Sequence, residues 1–121
     1  MKIERFHVGR RMSEIAVHQQ TVYLAGQIAE NATQDIVGQT REVLGHVDRL
    51  LAEAGSSKNH ILMCQVYLSD MQHFDGMNAA WDEWVSDSGA PPRATVEAKL
   101  ARPEWLVEIV VTAAVATAAQ I

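Results

Sequence analysis

Residues 106–115 read Leu-Val-Glu-Ile-Val-Val-Thr-Ala-Ala-Val. A run this apolar predicts a β-strand. Side chains of a strand alternate between two faces, so this one needs cover on both. No other stretch limits the fold as strongly. Glu108 is the exception within it, and an ionised carboxylate inside such a strand is costly unless paired or hydrogen-bonded. A second strand-like run begins at Arg93, just after Pro91-Pro92, whose rings stiffen the approach. Arg93 thus supplies a fixed cation one strand earlier. Arg93 and Glu108, held by a rigid sheet among apolar neighbours, are the one constellation that looks chemical.

Upstream, strand and helix patterns alternate. Lys2 to Arg11 reads as an initial strand or arm with a loop. Ser13 to His18 and Thr21 to Ala29 read as two strands hinged at Gln19-Gln20, the second rich in β-branched and aromatic residues. Gly26 inside that run signals a bulge or a close backbone approach. Ile36, Val37, Val43, Leu44, Val47, Leu50, Leu51 and Ala54 then follow the period of an amphipathic helix. Thr33 or Asp35 is placed to cap its start, and Gly55 suits its end. Its solvated face carries Arg41, Glu42, Asp48, Arg49 and Glu53. Ile61 to Leu68 reads as a strand with Leu62, Cys64, Val66 and Leu68 on one face. A second helix carries Phe74, Met77, Trp81, Trp84 and Val85 on its stripe, and Asn78 lies within that stripe. Ala113 to Ala119 reads as a strand end followed by a frayed tail.

This order, β, β-β, α, β, α, β, β, predicts one α+β domain over residues 1–121. Two helices of this size cover only one face of a five- or six-stranded sheet. The other face is apolar too, so the pattern predicts association through it.

Several function classes fall away. The formal net charge is −5 and the ten basic residues are scattered, which argues against nucleic-acid binding. The five histidines show no ligand spacing, so no metal site is expected. Cys64 is the only cysteine, which rules out an intrachain disulfide. On an apolar strand face it reads as a small hydrophobe rather than a nucleophile. No phosphate-binding glycine motif or nucleophile elbow occurs. The first residues lack the apolar core of a secretory signal, and Ile109 to Ala119 is shorter than the roughly 18 residues of a membrane span. The expectation is a cytoplasmic protein without membrane partners.

Each candidate has a bland reading beside the chemical one. Arg93 reads as a salt-bridge partner at a strand start, or as a planar fork for a carboxylate. Glu108 reads as a structural acid or as a tuned base. Asn78 either satisfies a backbone group or faces a cleft. Trp81 and Trp84 read as helix packing.

Pro-Pro-Arg93-Ala-Thr95-Val-Glu, followed fifteen residues after the arginine by Val107-Glu108-Ile109, resembles the C-terminal signature of the Rid family, the YjgF-type reactive-intermediate deaminases. Ala25-Gly26-Gln27 resembles that family's Ser-Gly-Gln segment. Phe74-x-x-x-Asn78 with Trp81 and Trp84 resembles its second-helix pattern. The similarity covers nearly the whole chain in order. It implies a chorismate-mutase-like α+β fold and a homotrimer whose sheets form a central barrel, with clefts between subunits. It implies hydrolysis of 2-imino acids or their enamine tautomers, of the 2-aminoacrylate or 2-iminopropanoate type, to 2-keto acids and ammonia. A narrower variant acts on an aminoacrylate-type intermediate of one catabolic pathway, such as pyrimidine breakdown. By resemblance, Arg93 and Glu108 are catalytic. Arg93, Gly26, Asn78 and Thr95 bind substrate. No cofactor is required, because an imine is already electrophilic.

The chain departs from the family pattern in places. Thr95 stands where many members carry cysteine, Val110 where many carry glutamate, and a frequent tyrosine is replaced around Met12-Ser13-Glu14. A different class of function uses the same cleft without catalysis, holding a small carboxylate or keto acid through Arg93. A ribonuclease or translation-inhibitor role, also attached to the family, conflicts with the acidic balance and the lack of a basic groove.

Overall fold

The last strand, β6 (Val107–Ala114), is two interleaved sets of residues. In the computed structural model of the chain, which describes residues 2–116 apart from 86 and 88, Val107, Ile109, Val111 and Ala113 are buried. Glu108, Val110, Thr112 and Ala114 alternate with them and are only half-buried. The odd set packs under the helices, and the even set lies on a sheet face that no helix covers. Val107 and Ile109, which flank Glu108, therefore belong to the opposite face, while Val110 shares its own. The expectation of a carboxylate buried among them is corrected by the pleat.

The remaining elements are β1 (Ile3–Val8), β2 (Ser13–His18), β3 (Thr21–Leu24), α1 (Ile36–Glu53), β4 (Ile61–Leu68), α2 (Phe74–Trp84) and β5 (Arg93–Glu97). They form a six-stranded sheet in the order β1-β2-β3-β6-β4-β5, with both helices on one face. All pairings are antiparallel except β4 with β5, which the α2 crossover makes parallel. The order differs from the sequence reading in one respect that matters. Arg93 and Glu108 are not on adjacent strands, because β4 lies between β5 and β6.

α1 starts where Asp35 accepts a hydrogen bond from the Gly38 amide at 2.9 Å, and its last turn closes at Gly55 with φ +78°. Val43, Leu44, Val47, Leu50 and Leu51 are its buried stripe, so truncating Leu50 to alanine costs about 2–5 kcal/mol. Gln39 is also fully buried on α1. Its amide donates to the Gln34 and Glu104 carbonyls at 3.1 Å, and its oxygen accepts from the Leu106 amide at 3.0 Å. The start of β6 is thereby tied to α1. Glu42, assigned from periodicity to the solvated face, is half-buried instead. It accepts from the Glu30 and Asn31 amides, from the Gln34 side chain and from His46 Nε2, and so pins the loop before α1.

Two strands end differently from their sequence patterns. β4 has a register shift between Ile61 and Met63, so Leu62 is turned out to solvent while Ile61, Cys64, Val66 and Leu68 face the core. β3 stops at Leu24 rather than running to Ala29, and Gln27 rejoins β6 as a single bridge to Ile109. Tyr23 pairs with Thr112 and Gln27 with Ile109, so the β3 side holds one extra residue: a bulge at Ala25-Gly26. Residues 117–121, which contain most of the tail read from sequence, lie outside the described residues.

Candidate functional site

The bulge at Ala25-Gly26 has a direct consequence for Glu108. Reciprocal bonds between Gln27 and Ile109, at 2.9 and 3.1 Å, clamp the bulge against β6. The Glu108 carboxylate then lies over Gly26. A Cβ at position 26 would overlap its Oε2 and would sit 2.9 Å from its Cδ. Only a glycine leaves this space, which is the close approach that Gly26 signals in the sequence. The Glu108 carboxylate makes no hydrogen bond or ion pair with any other described residue. Its cross-strand neighbour on β4 is Tyr67, on the same open face. Glu14 and Met12 line a shallow depression of about 220 Å³ with Gly26, and Gln27 Nε2 donates to Glu14 at 3.5 Å. The region where the family tyrosine is replaced thus adjoins the Glu108 half.

Arg93 stands elsewhere. The Pro92 carbonyl accepts from the Cys64 amide at 3.0 Å, which fixes the entry to β5, and Arg93 then pairs in register with Cys64. Its side chain is on the helix side. The guanidinium carbon lies 4.8 Å from the centre of the Trp81 ring, and Nη1 donates to Met77 Sδ at 3.8 Å. No carboxylate pairs with it among the described residues. Asn78, Trp81, Asp82, Ala90 and Pro91 complete a depression of about 370 Å³ around it. Thr95 follows on the same face of β5, and its buried hydroxyl oxygen has no hydrogen-bond partner. A larger depression, about 640 Å³, runs along residues 97–103 with Ser69 and contains none of the residues singled out.

The chain therefore carries two half-sites: Arg93, Asn78 and Thr95 with Trp81, and Glu108 with Gly26. Register places Arg93 level with Val111 and Glu108 level with Val96, so their Cα atoms are roughly 14 Å apart, on opposite sheet faces. They do not meet within one chain, which corrects the expectation of an arginine–glutamate constellation on neighbouring strands.

Trp81 is the residue that sequence reasoning left in the core. It is buried, as a packing residue should be, yet its ring carries Arg93. The available signal was its position three residues after Asn78, on the same side of α2. Cys64 is buried beneath Arg93. Burial pushes its thiol up to about 12 despite the nearby cation, so it is held protonated and unreactive. Among the described residues no cluster of potential ligands suits a metal ion, and no helix is long and apolar enough to cross a membrane.

Known proteins agree with this architecture. Residues 3–115 match the protein family described as Endoribonuclease L-PSP. A RutC family protein of Haemophilus influenzae is 49% identical over 114 residues, covering 93% of this chain and 98% of that protein. The RutC family protein YoaB of Escherichia coli is 40% identical, covering 95% and 100%. A solved member of the YjgF protein family from Neisseria meningitidis superposes with a TM-score of 0.94 at 44% identity, over 98% of each chain. With residues 3–115 matched to the family and relatives 40–49% identical over nearly its full length, the chain belongs to the YjgF/RutC (Rid) family.

Proposed function

We propose that the protein hydrolyses reactive 2-imino acids and their enamine tautomers to 2-keto acids and ammonia, in clefts between the copies of a homotrimer. The observation that carries this reading is the separation of the half-sites. Among the described residues the Arg93 guanidinium has no carboxylate partner and the Glu108 carboxylate has no partner; they project from opposite faces of one sheet, and a neighbouring copy would bring them together. The uncovered face bearing Tyr23, Tyr67, Val96 and Val110 supplies the surface for that association.

The chemistry follows from the two groups. Arg93 of one copy grips the substrate carboxylate at two points and fixes C2 of the imine. Glu108 of the next copy orients a water and accepts its proton as the oxygen attacks C2. The resulting carbinolamine has four bonds at C2. Glu108 returns the proton to nitrogen, then takes the proton of the new hydroxyl and passes it to the same nitrogen; the C–N bond breaks, the keto group forms and ammonia leaves. Asn78 and the backbone around Thr95 line the cleft beside Arg93, and Gly26 keeps space for the Glu108 carboxylate. The proton is conserved across the cycle, and the imine itself provides the electrophile.

The test is keto-acid release from imines generated in place by an amino-acid oxidase, with semicarbazide trapping what escapes. Wild type outcompeting the trap, with Arg93→Ala and Glu108→Gln folded but inactive, is the expected outcome. Failure of wild type on every imine tried, with pyruvate still bound through Arg93, would leave the non-catalytic carboxylate binder as the function.

A further inference from the structure

We infer that Trp81 is a positioning residue: its indole face holds the Arg93 guanidinium, without neutralising it, in the orientation that receives the substrate carboxylate. The inference rests on the function proposed above and adds to it a residue that the family signature does not assign.

An arginine at a strand start is ordinarily anchored by a carboxylate, but a bidentate acid would occupy the fork that a substrate needs. Asp82 lines the same depression and is not ion-paired to Arg93. Among the described residues the anchors are instead a ring 4.8 Å away and a thioether sulfur at 3.8 Å, both uncharged. An indole attracts a guanidinium through its quadrupole without using up its N–H donors, so those other than the one on Met77 Sδ stay free for a carboxylate. Anchoring and availability are therefore compatible here, as they would not be with an acid.

The ring is itself held. Trp81 is 5% exposed and packs at 5.3 Å and 53° against Trp84. The Trp84 Nε1–H donates to both Asp48 oxygens at 3.0 Å, and its backbone carbonyl accepts from Lys58 Nζ. A residue needed only for packing would be replaceable by a large aliphatic side chain. A residue that carries a cation needs a π face.

That contrast defines the test. Trp81→Phe and Trp81→Leu are compared with wild type by pyruvate titration followed by NMR and by KM and kcat for imine hydrolysis, with thermal unfolding run separately. The Trp81→Phe protein, which keeps a π face, is expected to hold the pyruvate Kd and KM within about threefold of wild type, whereas leucine raises both about tenfold with a much smaller change in kcat. A folded Trp81→Leu protein that binds as wild type does overturns the inference, and so does a Trp81→Phe protein as impaired as the leucine variant. Should the leucine variant not fold, the wild-type Arg93 Nε–H proton decides. Over an indole face it resonates upfield of exposed arginines such as Arg10 and Arg11, and a position among them overturns the inference. Absence of imine hydrolysis with the pyruvate pattern intact rejects the deaminase and keeps the role of Trp81. Hydrolysis that Trp81→Leu leaves untouched rejects that role alone.

Discussion

Glu108 and Gly26 share one space: the carboxylate of the strand residue occupies the position where a side chain at residue 26 would begin. The Gly26 backbone does not adopt a positive φ, so alanine is tolerated there conformationally. What yields is the end of the Glu108 side chain. Gly26→Ala is expected to cost less than about 1 kcal/mol of stability while lowering kcat/KM for imines roughly 10- to 100-fold. Urea unfolding beside steady-state kinetics checks this; a variant with full activity would show that Glu108 is not where turnover needs it.

The proposed clefts, with Arg93 from one copy and Glu108 from the next, make a prediction about mixtures. Arg93→Ala and Glu108→Gln chains are each inactive alone. Unfolded together and refolded at equal amounts, they regain about a quarter of wild-type activity, because that fraction of interfaces draws each intact residue from a different chain. No recovery in a mixture shown to be trimeric would place both residues in the same subunit's site.

Glu42 anchors the loop that precedes α1. Burial opposes its charge, but the Glu30 and Asn31 amides, His46 and Gln34 together pull its carboxyl below the ordinary value of 4.5. The carboxylate contribution is present above 4.5 and is lost as pH falls through the depressed folded-state value. Glu42→Ala is expected to lose about 1–3 kcal/mol at pH 7. Its deficit against wild type should shrink in acid, as denaturant melts at pH 7 and pH 3 will record. A deficit independent of pH would mean packing rather than charge.

Cys64, with its thiol pushed up to about 12, should resist alkylation by iodoacetamide at pH 8 in the folded protein and react once the protein is unfolded in urea. Rapid labelling of the native state would contradict the burial of β4 beneath the helices.

Most of the fold is legible in the sequence because it rests on periodicity. The α1 stripe, the Asp35 cap, the Gly55 terminus and the strand at 61–68 all follow from local pattern. Both the one-sided helix cover and the bare sheet face follow from counting elements. What the sequence hides is adjacency. Inserting β6 between β3 and β4 is a topological choice that residues 93–108 do not encode locally, so Arg93 and Glu108 look like neighbours when they are not. The register shift that exposes Leu62 is equally silent, since alternation counts residues and a bulge adds one. Trp81 was legible as a core residue and not as a support for Arg93, because that contact joins a helix to a strand across a crossover.

Strand order also gives the two charged residues unequal footing. β6 is hydrogen-bonded on both sides, and its entry is tied through Leu106 to Gln39 in the core helix. Its amide protons should exchange with deuterium only when the whole domain opens. β5 has a single strand neighbour within the chain, so its amides can exchange through local fraying. Under the proposed roles, the acid that handles water sits on a strand paired on both sides, and the arginine that grips the substrate sits on an edge strand whose hold on it comes from the Trp81 ring rather than from a second strand.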